Sequence, residues 1–165
     1  MYAKLEKLST VLVVIVAVLV IISITRGLIQ QPKVVSIGDH LGAIKPVSWA
    51  AHRHTLLFVI QQGCHFCEES MPFYRSLADL NRQSQEDVAM VAMLPDDYAT
   101  ARRLIDAHSL GEFTLVPNMP VSTYRATGTP TLIEVDQLGV VEHVWVGALA
   151  PDRQAEVIRA LYHGG

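Results

Sequence analysis

Apolar residues are distributed very unevenly along this chain. Leu8 to Thr25 contains no charged residue, and Val11 to Ile22 is an unbroken run of Val, Leu, Ile and Ala. Such a run reaches the lower bound for a membrane-spanning helix, about 17–25 residues. It exceeds the ~7–15 apolar residues of a cleavable signal, and no small-x-small site follows at Ser23-Ile24-Thr25-Arg26. A retained anchor is therefore expected. Lys4 and Lys7 face Arg26 and Lys33 across it, and the free N-terminus tips the expected orientation toward an inside amino end. Residues 1–26 then form a cytoplasmic tip and transmembrane helix, 27–33 a polar linker with Gln30-Gln31-Pro32, and 34–165 a domain outside the cytoplasm.

Within that domain the pattern alternates between strand and helix. Val34–Ile37 predicts a short first strand, Gly38–Ser48 a loop, and Trp49–Ala51 another short strand, with His52 and His54 as solvated turn residues. Thr55–Ile60 is an apolar, β-rich run that predicts a buried strand. Met71, Tyr74, Leu77 and Leu80 then recur every three or four residues, as on the inner face of a helix. Val88–Leu94 is continuously apolar, as expected of a strand covered on both faces. Pro95-Asp96-Asp97 supplies a turn and a cap for a helix over Tyr98–His108, closed by Ser109-Leu110-Gly111. Strand, helix, strand, helix implies parallel pairing. Phe113–Val116 predicts a short strand and Met119–Tyr124 a turn of helix. Thr131–Val135 and Val140–Val146 predict an antiparallel pair around the turn Asp136-Gln137-Leu138-Gly139. A last helix starts at Pro151 or Asp152, with Ala155, Val157, Ile158 and Leu161 toward the sheet. The fold class is α/β, with a mixed central sheet flanked by helices.

Length and charge narrow the partners. The 165 residues suit one domain with a core of its own, without disulfide staples. A net charge of −3 and scattered arginines argue against nucleic acid.

The chemistry concentrates in Gly63-Cys64-His65-Phe66-Cys67, which holds both cysteines of the protein. Placed between a buried strand and a helix, the pair meets unpaired backbone N–H groups and the positive end of the helix dipole. There a thiolate pKa falls from ~8.5 into the range of about 3.5–7.5. Structural zinc would need about four ligands, and no finger spacing joins the pair to His52, His54 or His65. Attachment of a c-type haem would need histidine where Glu68 stands. So small a ring would restrict the unfolded chain little as a purely structural disulfide. Redox exchange is the reading the residues favour.

With Pro72 five residues beyond Cys67, and Gly128-Thr129-Pro130-Thr131 leading into the next-to-last strand, residues 34–165 resemble the thioredoxin superfamily. The anchor and the added residues between Cys67 and Pro130 make the chain similar to the membrane-anchored TlpA and ResA type reductases, or to related redoxins. The resemblance implies a thioredoxin-like fold in which Pro72 kinks the cysteine helix and Pro130 forms a cis-proline loop facing the disulfide. It also implies Cys64 as nucleophile, Cys67 as resolving thiol, and the Thr129 main chain and Pro130 as a platform for an extended substrate. His65 would stabilise the Cys64 thiolate when protonated, and Phe66 would offer partners an apolar surface. The implied partners are envelope protein thiols or disulfides and a membrane or soluble electron-transfer protein, with membrane lipid around the anchor. No cofactor beyond the dithiol is implied, and the domain would face the periplasm or cell exterior.

Three departures from that family are visible. Gly63 stands where an aromatic residue typically precedes the first cysteine, His65-Phe66 replaces Gly-Pro, and Phe58 occupies the place of thioredoxin's buried acid. Glu134 could substitute for that acid, but its place on a strand predicts a surface-facing residue. Two alternatives share the fold. A peroxiredoxin-like peroxidase would need a Pro-x-x-x-Thr stretch where Ile60-Gln61-Gln62-Gly63 stands. A copper carrier could use the dithiol with a histidine such as His143, although such carriers generally space their cysteines by three residues.

Overall fold

A computed structural model describes residues 12–23 and 34–163, which fall in two units, Met1–Lys33 and Val34–Gly165. In the first unit, residues 12–23 form helix α1, with every side chain exposed. Among the described residues no helix is long and apolar enough to cross a membrane. The ends of the expected span, residues 8–11 and 24–25, lie outside the described residues, as do the linker and the cytoplasmic tip.

The second unit is built on a five-stranded sheet in the order β3-β2-β1-β4-β5. In chain order the elements are β1 (His54–Val59), α2 (His65–Gln83), β2 (Val88–Met93), α3 (Tyr98–Ala107), β3 (Thr114–Val116), β4 (Thr131–Asp136), β5 (Val141–Val146) and α4 (Pro151–His163). β1, β2 and β3 run parallel; β4 is antiparallel to β1, and β5 to β4. The mixed sheet and the parallel β1–β2 pairing agree with the sequence pattern.

Strand parity sorts the core into two layers, because successive side chains point to opposite faces. Leu56, Phe58, Ile60, Leu132 and Trp145 share one face with residues of all three helices, among them Cys67, Met71, Tyr74, Leu104, Ile105, Val157 and Leu161. Leu57, Val59, Val91, Ile133 and Val135 face the other way, against Val35, Leu41, Ile44 and Val116. The connections β1–α2–β2 and β2–α3–β3 both cross on the first face. The second face is covered by chain that is largely irregular.

That irregular chain accounts for two corrections. Val34–Ile37 is not a strand. The pairing falls later, where Gly38 N–H donates to the Val141 carbonyl (2.8 Å) and Leu41 N–H to that of Gly139 (2.8 Å), around an isolated bridge from His40 to Val140. A turn at Gly38, with φ of +85°, swings the chain into this position, and Val35 and Leu41 are buried on either side of it. Trp49–Ala51 is a 3-10 turn rather than a strand, and Val121–Tyr124 is another, within the stretch expected to form a turn of helix. At α3 the expected cap is present: Asp97 Oδ1 accepts the Thr100 N–H at 3.0 Å. Hydrogen bonds from the Thr100 backbone and hydroxyl hold the Asp97 carboxyl below its usual range.

Candidate active site

The buried strand β1 delivers the chain to Gln61-Gln62-Gly63 at the top of the sheet. Gln62 N–H is held by Asp96 Oδ2 at 3.2 Å, which ties this turn to the loop after β2. Gly63 has φ of +73°, a left-handed conformation that costs residues with a Cβ. The backbone thus explains why glycine stands where an aromatic residue was the pattern.

Cys64 is the N-cap of α2, and its Sγ accepts the Cys67 N–H at 3.2 Å. Cys64 and Cys67 are joined in a disulfide, with their Cα atoms 5.2 Å apart. Cys64 is part-buried, whereas Cys67 is 0% exposed beneath the first turn. Pro72 lies inside α2, as the resemblance implies. It removes one backbone donor and so denies the Glu68 carbonyl its helical partner.

Across from the disulfide lies the loop before β4. The Thr129–Pro130 peptide is cis, as is Lys45–Pro46. The Thr129 hydroxyl donates to Cys64 Sγ at 3.4 Å, and the Thr129 carbonyl oxygen lies 3.5 Å from the same sulfur. In the disulfide Cys64 carries no proton, so the second is a contact only; in the reduced thiol it could become an S–H···O bond. Thr131 Oγ1 bonds the Gly128 carbonyl at 2.8 Å, and Gly147 N–H the Pro130 carbonyl at 2.8 Å. Sequence reasoning assigned Thr129 through its main chain and missed its hydroxyl. A threonine before the loop proline was the available signal.

His65 and Phe66 are both exposed at the first turn of α2. The His65 side chain is 78% exposed, with Nε2 3.1 Å from Glu69 Oε1, so any charge it carries is shared with that carboxylate. Phe66 is exposed beside the disulfide, as a contact surface requires. His108 Nε2 meets Glu68 Oε2 at 3.0 Å, a pair the sequence did not suggest.

Phe58 is fully buried against Tyr74 (ring centroids 5.0 Å) and Phe113 (4.6 Å), so the usual place of the family's acid is filled with aromatic packing. Glu134 and His54 contradict their expected positions. Glu134 is 1% exposed, because it shares parity with Leu132 on the helix-covered face. Burial raises its pKa, opposed by His54 and His143. His54 is the first residue of β1 and is largely buried, not a solvated turn residue; His52 is the half-exposed partner of Asp87, at 2.6 Å.

No protein-family model matches the chain, and no curated protein matches it in sequence at a significant level. Solved structures do match. One from Chlorobium tepidum, described as a thiol:disulfide interchange protein DsbE, is 19% identical over 76% of this chain and 94% of that one, with a TM-score of 0.61. MTB DsbF, solved in mixed oxidised and reduced forms, is 18% identical over 67% and 81%, with a TM-score of 0.55. A thiol-disulfide isomerase from Corynebacterium glutamicum is 16% identical over 79% and 93%, with a TM-score of 0.52. The chain has the thioredoxin-like fold, shared with these thiol-disulfide oxidoreductases, and carries a Cys-x-x-Cys disulfide at the head of α2.

Proposed function

We propose that this chain is a membrane-anchored, extracytoplasmic thiol-disulfide oxidoreductase that exchanges disulfides with envelope proteins through Cys64 and Cys67. The observation that carries the reading is the disulfide capping α2 with Thr129 and Pro130 against it. In the reduced protein the Cys64 thiolate attacks one sulfur of a substrate disulfide, and the other sulfur leaves as a thiolate. The Cys67 thiolate then attacks Cys64 Sγ and releases the first substrate sulfur. The substrate gains two electrons and the dithiol becomes the disulfide, which a membrane or soluble electron-transfer partner must recharge. Phe66 and the Thr129–Pro130 loop flank the reacting sulfur and are the surface a partner chain would meet.

Activity is tested by mixing the reduced protein with a disulfide-bonded protein substrate and following loss of the substrate disulfide together with formation of Cys64–Cys67. A reduced protein that leaves such substrates oxidised would exclude the reading. Thr129 supplies a second measurement. Its hydroxyl favours the thiolate, so Thr129→Val should make the couple more reducing. A hydrogen bond to a charged group contributes about 1.5–3 kcal/mol. Sulfur is a weak acceptor, so about 1.4 kcal/mol is the better figure, or about 30 mV for this two-electron couple. Equilibration of both proteins with a glutathione buffer reads the shift, and identical potentials would remove Thr129 from the account.

The anchor rests on the uncharged stretch Leu8–Thr25 and on the exposed apolar side chains of α1. Full-length protein should stay with membranes through a carbonate wash, and release by carbonate or high salt would contradict it.

A further inference from the structure

On the sheet's helix-covered face, several steps along β1 from the cysteines, four ionisable side chains from three strands meet. His54 Nδ1 lies 2.9 Å from Glu134 Oε1 and 3.2 Å from Glu142 Oε2, while His143 Nδ1 is hydrogen-bonded to Glu134 Oε2 at 2.9 Å. The geometry points to a metal site: His54, Glu134 and Glu142 form a centre for one divalent transition cation of the zinc class, with His143 orienting Glu134 from behind.

Three observations support it. The backbone builds the cluster. Glu134 pairs with His143 but Val135 pairs with Val141, so Glu142 is the extra residue of a β-bulge. In a regular strand Glu142 and His143 would point to opposite faces; the bulge lets both reach the Glu134–His54 group. Second, the ring nitrogens of His54 are buried and neither has a hydrogen-bond partner. Nδ1 faces two carboxylate oxygens, at 2.9 and 3.2 Å, without a hydrogen bond to either, so three possible ligand atoms converge on one point. Third, the spacing fits. Ligands at 2.0–2.1 Å from zinc in a tetrahedral arrangement lie about 3.3–3.4 Å apart. The His54 and carboxylate donor atoms here lie within 4.8 Å of one another, two of the gaps being 2.9 and 3.2 Å. Imidazole with carboxylates is a donor set zinc accepts, and a ligating carboxylate is itself usually hydrogen-bonded, as Glu134 is by His143. Glu142 and His143 are exposed enough, at 40% and 44% of their side chains, to give an ion a way in.

The site is separate from the thiols. His54 and Val59 are the two ends of β1, about 17 Å apart at ~3.3 Å per residue, and Cys64 lies beyond Val59. The test therefore uses the oxidised full-length protein in detergent, in which no thiolate competes, so its failure does not touch the redox reading. Zn(II) is titrated against a chromophoric chelator, and Co(II) is used as a spectroscopic substitute. One zinc per chain is expected. Glu142→Gln, a near-isosteric change at a part-exposed position, should weaken binding at least tenfold and abolish the Co(II) visible band; His54→Gln should do the same. His143→Ala should weaken binding by about 10–100-fold through Glu134. If the oxidised protein takes up no zinc, or if Glu142→Gln binds it as tightly as the parent, the site does not exist.

Discussion

Cys64→Ser is expected to abolish disulfide reduction, whereas Cys67→Ser should retain attack and accumulate stable mixed disulfides through Cys64. The asymmetry has two sources. Cys64 caps α2, where its sulfur accepts the Cys67 N–H and the Thr129 hydroxyl, and these donors together with the helix dipole favour a thiolate. Cys67 is fully buried and cannot reach a sulfur on another protein. Without Cys64 no attacking sulfur remains, and activity should fall to background. Without Cys67 the first step proceeds and the covalent complex has no internal route to resolution. Alkylation of the reduced protein gives an independent check, since Cys64 should react much faster than Cys67 at neutral pH. Equal rates would overturn the assignment of roles, and partners trapped on Cys67→Ser would identify the substrates.

Phe58→Ala should be the most damaging of the core substitutions at the site. The ring is fully buried at the centre of the sheet, edge-on to Tyr74 of α2 and tilted against Phe113. Truncating a buried phenylalanine costs about 3–5 kcal/mol, through lost transfer energy and the cavity left behind. Against a typical stability of about 5–15 kcal/mol, this removes at least about a fifth of the margin. Chemical denaturation of the oxidised protein should show a lower midpoint with an unchanged slope. A loss under about 1 kcal/mol would mean that neighbouring side chains refill the space. Because Tyr74 lies two turns beyond Cys67 on α2 and shares its core cluster with Phe58, alkylation of Cys67 in the reduced variant should also rise.

The central part of the fold was legible in the sequence because its signals are local and redundant. Thr55–Ile60 and Val88–Leu94 are apolar whichever way they face, the two cysteines stand at the strand-to-helix junction, and Pro72 and Pro130 punctuate at fixed spacing. Residues 34–51 were less legible because what organises them is the second face of the sheet, a surface absent from local sequence. Glu134 was misread for a related reason. On a sheet covered on both sides, a lone charged residue is no guide to which parity faces water. The bulge that adds Glu142 to its surroundings has no glycine or proline to announce it. The Thr129 hydroxyl depends on how two loops distant in sequence meet, which spacing alone does not specify.

The same bulge governs how the sheet ends. An edge strand with a straight row of open N–H and C=O groups can recruit a strand from a neighbouring molecule, which begins edge-to-edge aggregation. Here β3, at one edge, is three residues long. At the other edge, the start of β5 is occupied by Gly38–Leu41, and the bulge with Glu142 and His143 breaks the regular repeat just beyond it. A strand approaching from outside meets at one edge too short a template and at the other a kinked, charged one. A three-residue strand at one edge and a bulged, charged strand at the other are both features that disfavour edge-to-edge pairing.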